Sequence, residues 1–278
     1  MQETIQSVKH PVARITPAPV ALGQRWRQRF DLLAIPAVLV IFVGSWQAMV
    51  WLGEYPTFIL PSPLDVAGSF GANVVNGILW RHAQATLIEI FAGLTVGLTL
   101  ATGFGYLLAK SRLLNRLLAP YIVASQSVPV VAIAPLLVIW FGPGRLSKVL
   151  ICALIVFFPV LINTVVGLRS VDEGLYDLMR SLKASRWQMF WLLEAPAALP
   201  IILGGLKISV TLSVIGAVVG EFVASSEGLG FLINQARGLF NTPLVFVTIL
   251  TLVAIALTLY SVVSWLEARL LRWRGETN

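Results

Sequence analysis

The amino-acid sequence predicts an all-α membrane protein with six transmembrane helices. Three observations carry that reading. Of its 278 residues, 57% are hydrophobic and 12% are charged, whereas soluble domains carry about 25% charged residues. Crossing the bilayer core takes about 20 predominantly apolar helical residues, and six stretches of the chain meet that requirement. The lysines and arginines sit at the ends of those stretches, where they orient a membrane protein, so the net charge of +7 calls for no nucleic acid.

Residues 1–30 read as a cytoplasmic N-terminal tail. The chain is polar up to Gln28, carries Pro11, Pro17 and Pro19, and does not resemble a secretory signal. Residues 31–278 form the transmembrane domain, with its core at 83–270. The first span is Leu32–Leu52, behind Arg25, Arg27 and Arg29. YPTFILPSPLDV follows, and Pro56, Pro61 and Pro63 keep it from being one helix. Leu64–Leu79 reads as a short helix at the outer interface, with Trp80 at its end. The second, third and fourth spans are Ala83–Leu108, Pro120–Phe141 and Val149–Leu168. A polar stretch at 170–200 separates them from the fifth, Ile201–Val223. A polar loop, ASSEGLGFLINQARGLFNT, leads to the sixth, Leu244–Leu266.

With the N-terminus inside, 16 of the 20 lysines and arginines fall on the cytoplasmic side. Only Arg81, Arg145, Lys148 and Arg237 fall outside. That bias predicts both termini in the cytoplasm, and the 170–200 stretch with them. The lone Cys152 excludes an internal disulfide, and His10 and His82 are too few for a histidine metal site. The chain has no G-x-x-x-x-G-K-[ST] phosphate loop and no catalytic triad or carboxylate pair, so it is expected to hold no catalytic, cofactor or metal residues. Gly93 with Gly97, and Gly216 with Gly220, form G-x-x-x-G spacings suited to close helix packing, within one subunit or between two.

Within 170–200, Asp172 and Glu173 favour a helix start. Leu175, Leu178, Met179 and Leu182 recur at helical spacing. Ser185 is placed to cap a second helix, Arg186–Glu194, while Pro196 and Pro200 are expected to limit helix continuity before the fifth span. Two short helices exposing Trp187, Phe190 and Trp191 suit either a docking surface or an amphipathic face lying on the inner leaflet.

The segment DLMRSLKASRWQMFWLLEAP resembles the EAA loop of ATP-binding-cassette importer permeases, E-A-A-x3-G-x9-I-x-L-P. Asp177 stands at the Glu, Leu178 and Met179 at the two Ala, Lys183 at the Gly, and Leu193, Ala195 and Pro196 at the Ile, Leu and Pro. ILPSPLDV, QSVPVVAIAPLLVIWFG, KVLICALIVFFPVLINTVVGLRSVD and EGLGFLI extend the resemblance across residues 58–274, toward permeases of the nitrate, sulfonate, taurine and vitamin-precursor type. The resemblance implies the type I importer fold in a bacterial inner membrane. It implies a homodimer surrounded by lipid, two ATPase subunits carrying the ATP and Mg, and a solute-binding protein. It makes Asp177, Leu178, Met179, Lys183, Ser185, Arg186, Trp187, Phe190, Glu194 and Pro196 the expected ATPase-coupling residues. Two departures stand out. Lys183 replaces a glycine suited to a left-handed bend, so the bend either avoids positive φ or is strained. Leu178 and Met179 are bulkier than Ala-Ala, which suits a dedicated ATPase.

Polar groups inside spans are functional candidates by default. Glu89, Gln126, Ser127, Asn163 and Glu221 are therefore the expected translocation-pathway residues, with Pro129 and Pro135 freeing backbone carbonyls in the third span. Competing structural roles are a Glu89–Arg81 pair, a Glu221–Arg237 pair and an interhelical hydrogen bond from Asn163. No pathway cation is evident to clamp a small oxyanion, which favours an uncharged or aromatic solute. QSVPVVAIAPL and GAVVGEFV resemble most the permeases for thiamine-pyrimidine or riboflavin-type precursors. The alternative solutes for the same machinery are nitrate, an alkylsulfonate or taurine, or an aromatic carboxylate; the alternative of another class is an ion-coupled secondary transporter or channel using Glu89 and Glu221.

Overall fold

The computed structural model describes residues 22–272, with side chains from Pro36 onward. The tail reading therefore falls, up to residue 21, outside the described residues. Residues up to Glu54 and residues from Tyr55 form two units, each described by itself. The first contains α1 (Leu22–Gly53), a single helix that includes Pro36 and begins before the expected Leu32.

The second unit opens with α2 (Pro63–Val75). Its start is fixed by a capping box: the Ser62 side chain accepts from the Asp65 N–H, Asp65 returns the bond to the Ser62 N–H, and Pro63 fills a position that needs no donor. It ends sooner than expected, because Gly77 at φ +70° turns the chain and Ile78 already belongs to α3 (Ile78–Lys110). Ser111 caps α4 (Arg112–Gln126), and α5 (Val130–Phe141) follows.

The third span was expected from Pro120 to Phe141, with its hydrogen-bond ladder interrupted at Pro129 and Pro135. It begins earlier, at Arg112, and is two helices bent by 96°. Pro129 supplies no N–H and disfavours helical geometry at the residue before it, and the break falls at 127–129. Pro135, by contrast, is carried inside α5 without ending it.

Next come α6 (Arg145–Arg169), α7 (Glu173–Ser181) and α8 (Arg186–Met189). A π-turn, Phe190–Glu194, joins α8 to α9 (Ala195–Val223). The expected interruption at Pro196 and Pro200 does not occur: Arg186–Val223 is one helical stretch of 38 residues. Pro200 is carried inside α9, and the π-turn accounts for Pro196. The Ala195 N–H reaches back to the Phe190 carbonyl, five residues away, and this widened turn gives the Pro196 ring room that an α-turn lacks. The loop expected after the fifth span contains a helix, α10 (Leu229–Gly238), before α11 (Thr242–Leu270). Five helices among the described residues are long and apolar enough to cross a membrane, or six if α4 and α5 count as one broken span.

The core is α6 sandwiched between α3 and α9. Both G-x-x-x-G pairs serve this contact within one chain. A Cβ on Gly97 would lie 2.8 Å from the Ala153 carbonyl oxygen, and one on Gly216 would lie 2.8 Å from the Cys152 Cα. Only glycine lets these backbones meet.

Candidate functional site

Two sets of candidate residues lie at opposite ends of the core helices. The first is the α7–α8 corner. Asp172 caps α7 by accepting from the Gly174 N–H, and Asp177 pairs with Arg180 at 3.0 Å on the exposed face. Ser185 and Gln188 form a capping box that starts α8. Between them the Lys183 N–H donates to the Arg180 carbonyl and the Ala184 N–H to that of Met179, closing the turn. Lys183 has φ +53°, so the bend keeps the left-handed conformation that glycine would favour. The strained alternative is the one realised. An L-residue pays about 1–2 kcal/mol there, while glycine adds chain entropy to the unfolded state. Lys183→Gly is expected to stabilise the protein by about 0.5–1 kcal/mol, read as a raised thermal midpoint of the purified chain.

Leu178, Leu182, Trp187 and Trp191 are exposed, Trp187 by 70%. Phe190 turns inward, edge-on to Tyr106 at 5.6 Å, while Trp187 and Trp191 stack edge-to-face at 5.6 Å on the outside. Glu194 does not join that surface. It is buried and forms an ion pair with Lys110 at the end of α3. Lys110 also lies over the rings of Tyr106 and Tyr176. Burial first, and the Glu194 carboxylate second, push the Tyr176 hydroxyl up to about 12. Pro196 is half-buried beside the π-turn. A groove of about 830 Å³ runs beside this corner, lined by Lys110, Arg169, Tyr176 and Arg180 among others.

The second set gathers where α3, α6 and α9 meet α10. Glu89 pairs with Lys148 and not with Arg81. Glu221 accepts from the Thr86 hydroxyl (2.7 Å) and from the Gly230 N–H; Arg237 donates instead to Asn234. Sequence reasoning missed Lys148, Thr86 and His82. Lys148 looked like one more loop charge, yet it is 3% exposed. The segment joining α9 to α10 and the first turn of α10 are tied down from α3, α6 and α9. Lys148 Nζ donates to Ser225 Oγ (2.9 Å), the Gly228 N–H to His82 Nδ1 (3.0 Å), the Leu229 N–H to Thr86 Oγ1 (2.8 Å), and Gly230 to Glu221. The signal for it was the EGLG motif, whose Gly228 sits at φ +113° with no room for a Cβ against the Glu221 carboxyl. On the rim, Arg145 pairs with Glu227 at 3.0 Å and holds that carboxyl below its ordinary value.

Glu89 and Glu221 are thus brought together, while the other pathway candidates are not. Gln126 and Ser127 are exposed at the α4–α5 bend. Asn163 donates to the Pro159 carbonyl of its own helix (2.8 Å) and packs on the face of Gly205.

Comparison with known proteins fits this architecture. Residues 93–272 match the family model described as binding-protein-dependent transport system inner membrane component. The chain is 48% identical over 277 residues to the riboflavin transport system permease protein of Chloroflexus aurantiacus, covering 99% of this chain and 100% of that one. It is 36% identical over 217 residues to the formylaminopyrimidine transport permease protein of Halalkalibacterium halodurans, covering 78% and 86%. Among solved structures, an inward-facing methionine ABC transporter superposes with a TM-score of 0.63 at 18% identity, covering 70% of this chain and 97% of that one. The chain therefore belongs to the binding-protein-dependent inner membrane components, the multi-pass permeases of ATP-binding-cassette importers with the type I fold.

Proposed function

We propose that this permease carries a flavin- or pyrimidine-type heteroaromatic solute, delivered by a solute-binding protein. Two copies of the chain enclose the pathway, in contact with lipid, and both termini face the cytoplasm. Two separate ATPase subunits bind the ATP and Mg and dock on the 173–194 corner, leaving this chain without catalytic residues. The charge distribution supports the orientation, and the exposed Trp187, Trp191, Leu178 and Leu182 support the docking face.

The observation that carries the solute class is the likeness to a riboflavin permease along 99% of the chain. The charge pattern agrees. Lys148, the buried cation among the described residues, is neutralised by Glu89, so it does not offer a free positive charge to a sulfonate. The test is uptake into proteoliposomes holding the permease, its ATPases and its binding protein. ATP-dependent riboflavin or aminopyrimidine uptake, unaffected by excess taurine, is the expected result. Taurine uptake in its place would overturn the solute class. Ion-driven flux through the permease alone would favour the ion-coupled transporter.

A further inference from the structure

We propose that Glu89, Glu221 and Lys148 form a binding site for one proton inside the membrane domain. The three residues come from three helices, α3, α9 and α6, and are 1%, 1% and 3% exposed. Lys148 pairs with Glu89 Oε1. Glu221 lies next to Glu89: its Oε1 accepts from the Thr86 hydroxyl, three residues before Glu89 on α3. Among the described residues, Glu89 Oε2 is fully buried and receives no hydrogen bond.

Two carboxylates therefore face one ammonium. A buried ionised carboxylate without its own counter-charge is so costly that the group neutralises instead. No other cation makes up the difference. On α3, Arg81 is exposed, and His82 Nδ1 is occupied by the Gly228 N–H. On α6, Arg145 is taken by Glu227 of the α9–α10 segment, and Cys152 donates its thiol to the Ser213 carbonyl. On α10, Arg237 is exposed and bonded to Asn234. On α2, Asp65 is held by Ser62, and α5 contains no titratable residue.

One proton removes both anomalies. It leaves one negative charge opposite Lys148. Placed between the two carboxyls, it also turns the orphaned Glu89 Oε2 into a hydrogen-bonding partner of Glu221. Such a proton belongs to the pair and not to either residue. Its position has a consequence. Lys148 also holds Ser225, Thr86 holds Leu229, and Glu221 holds Gly230. The proton lies beneath the segment joining α9 to α10, and lifting that segment opens the carboxyls to water and lets the proton leave.

Infrared spectroscopy of the full chain in lipid nanodiscs tests this directly. A protonated carboxyl has a C=O stretch apart from the carboxylate bands, and it shifts on transfer to deuterium oxide. The wild-type chain is expected to show this band at neutral pH. Glu89→Gln and Glu221→Gln should each abolish it, because the remaining carboxylate then has Lys148 to itself. Lys148→Met should raise it about twofold, since both carboxyls must then be neutral. Absence of the band in the wild-type chain overturns the proposal without recourse to any variant. So does a band that survives in either glutamine variant that elutes like the wild-type chain.

Discussion

Lys110→Met is expected to lower the stability of the permease by about 3 kcal/mol. Removing one member of a buried ion pair leaves an uncompensated charge and costs about 3–5 kcal/mol. The lower end applies, because the Lys110 side chain is 39% exposed and water reaches it, while Glu194 is 1% exposed and cannot move out. The partners are 84 residues apart and join the end of α3 to the π-turn before α9. For a chain of this size such a loss corresponds to a fall of roughly 6–12 °C in thermal midpoint. Glu194→Gln in the Lys110→Met background should recover most of it, since no buried charge then remains. A single variant that melts with the wild-type chain would mean the pair contributes nothing.

Trp187→Ala is expected to weaken docking of the ATPase by about 2 kcal/mol, or roughly 30-fold in Kd. Trp187 is 70% exposed and packs against Trp191, which makes it a large, rigid anchor at the centre of the α7–α8 corner. Exposed aromatic anchors of this kind carry most of the energy of many interfaces. Uptake should fall, while ATP hydrolysis by the ATPases no longer tracks the presence of solute and binding protein. Trp187→Phe, which keeps the ring contact with Trp191, should retain most of the function. Full coupling and unchanged affinity in Trp187→Ala would remove this residue from the interface and favour the reading in which the corner lies on lipid.

Much of this molecule was legible in the sequence because membrane physics writes it locally. Runs such as Val149–Leu168 and Leu244–Leu266 need only their own composition to read as spans, and α6 and α11 contain them. Ser185 and Gln188 announce a helix start on their own. What was not legible depends on residues distant in sequence. Lys148 is an ordinary span-flanking charge until α3 places Glu89 beside it. Glu194 belongs to an exposed helix until Lys110 claims it. Pro129 and Pro196 pose the same local problem, yet one breaks a helix by 96° and the other is absorbed by a π-turn. The outcome turns on the preceding backbone, which no proline count reveals.

That π-turn has a mechanical consequence. Because Pro196 does not break the chain, Arg186–Val223 is a single bar of 38 residues, about 57 Å long at 1.5 Å per residue. Trp187 sits near one tip and Glu221 near the other. Between them, Gly205 and Gly216 press the bar directly against α6, at Asn163 and Cys152. Gly167 meets the bar at Ala198, and Gly220 meets Lys148, so close contacts with α6 run along most of its length. A bar held in this way moves together with α6, so a displacement at the tryptophan tip is carried to the carboxyl tip, where the ties to Gly230, Ser225 and Leu229 are the first to feel it.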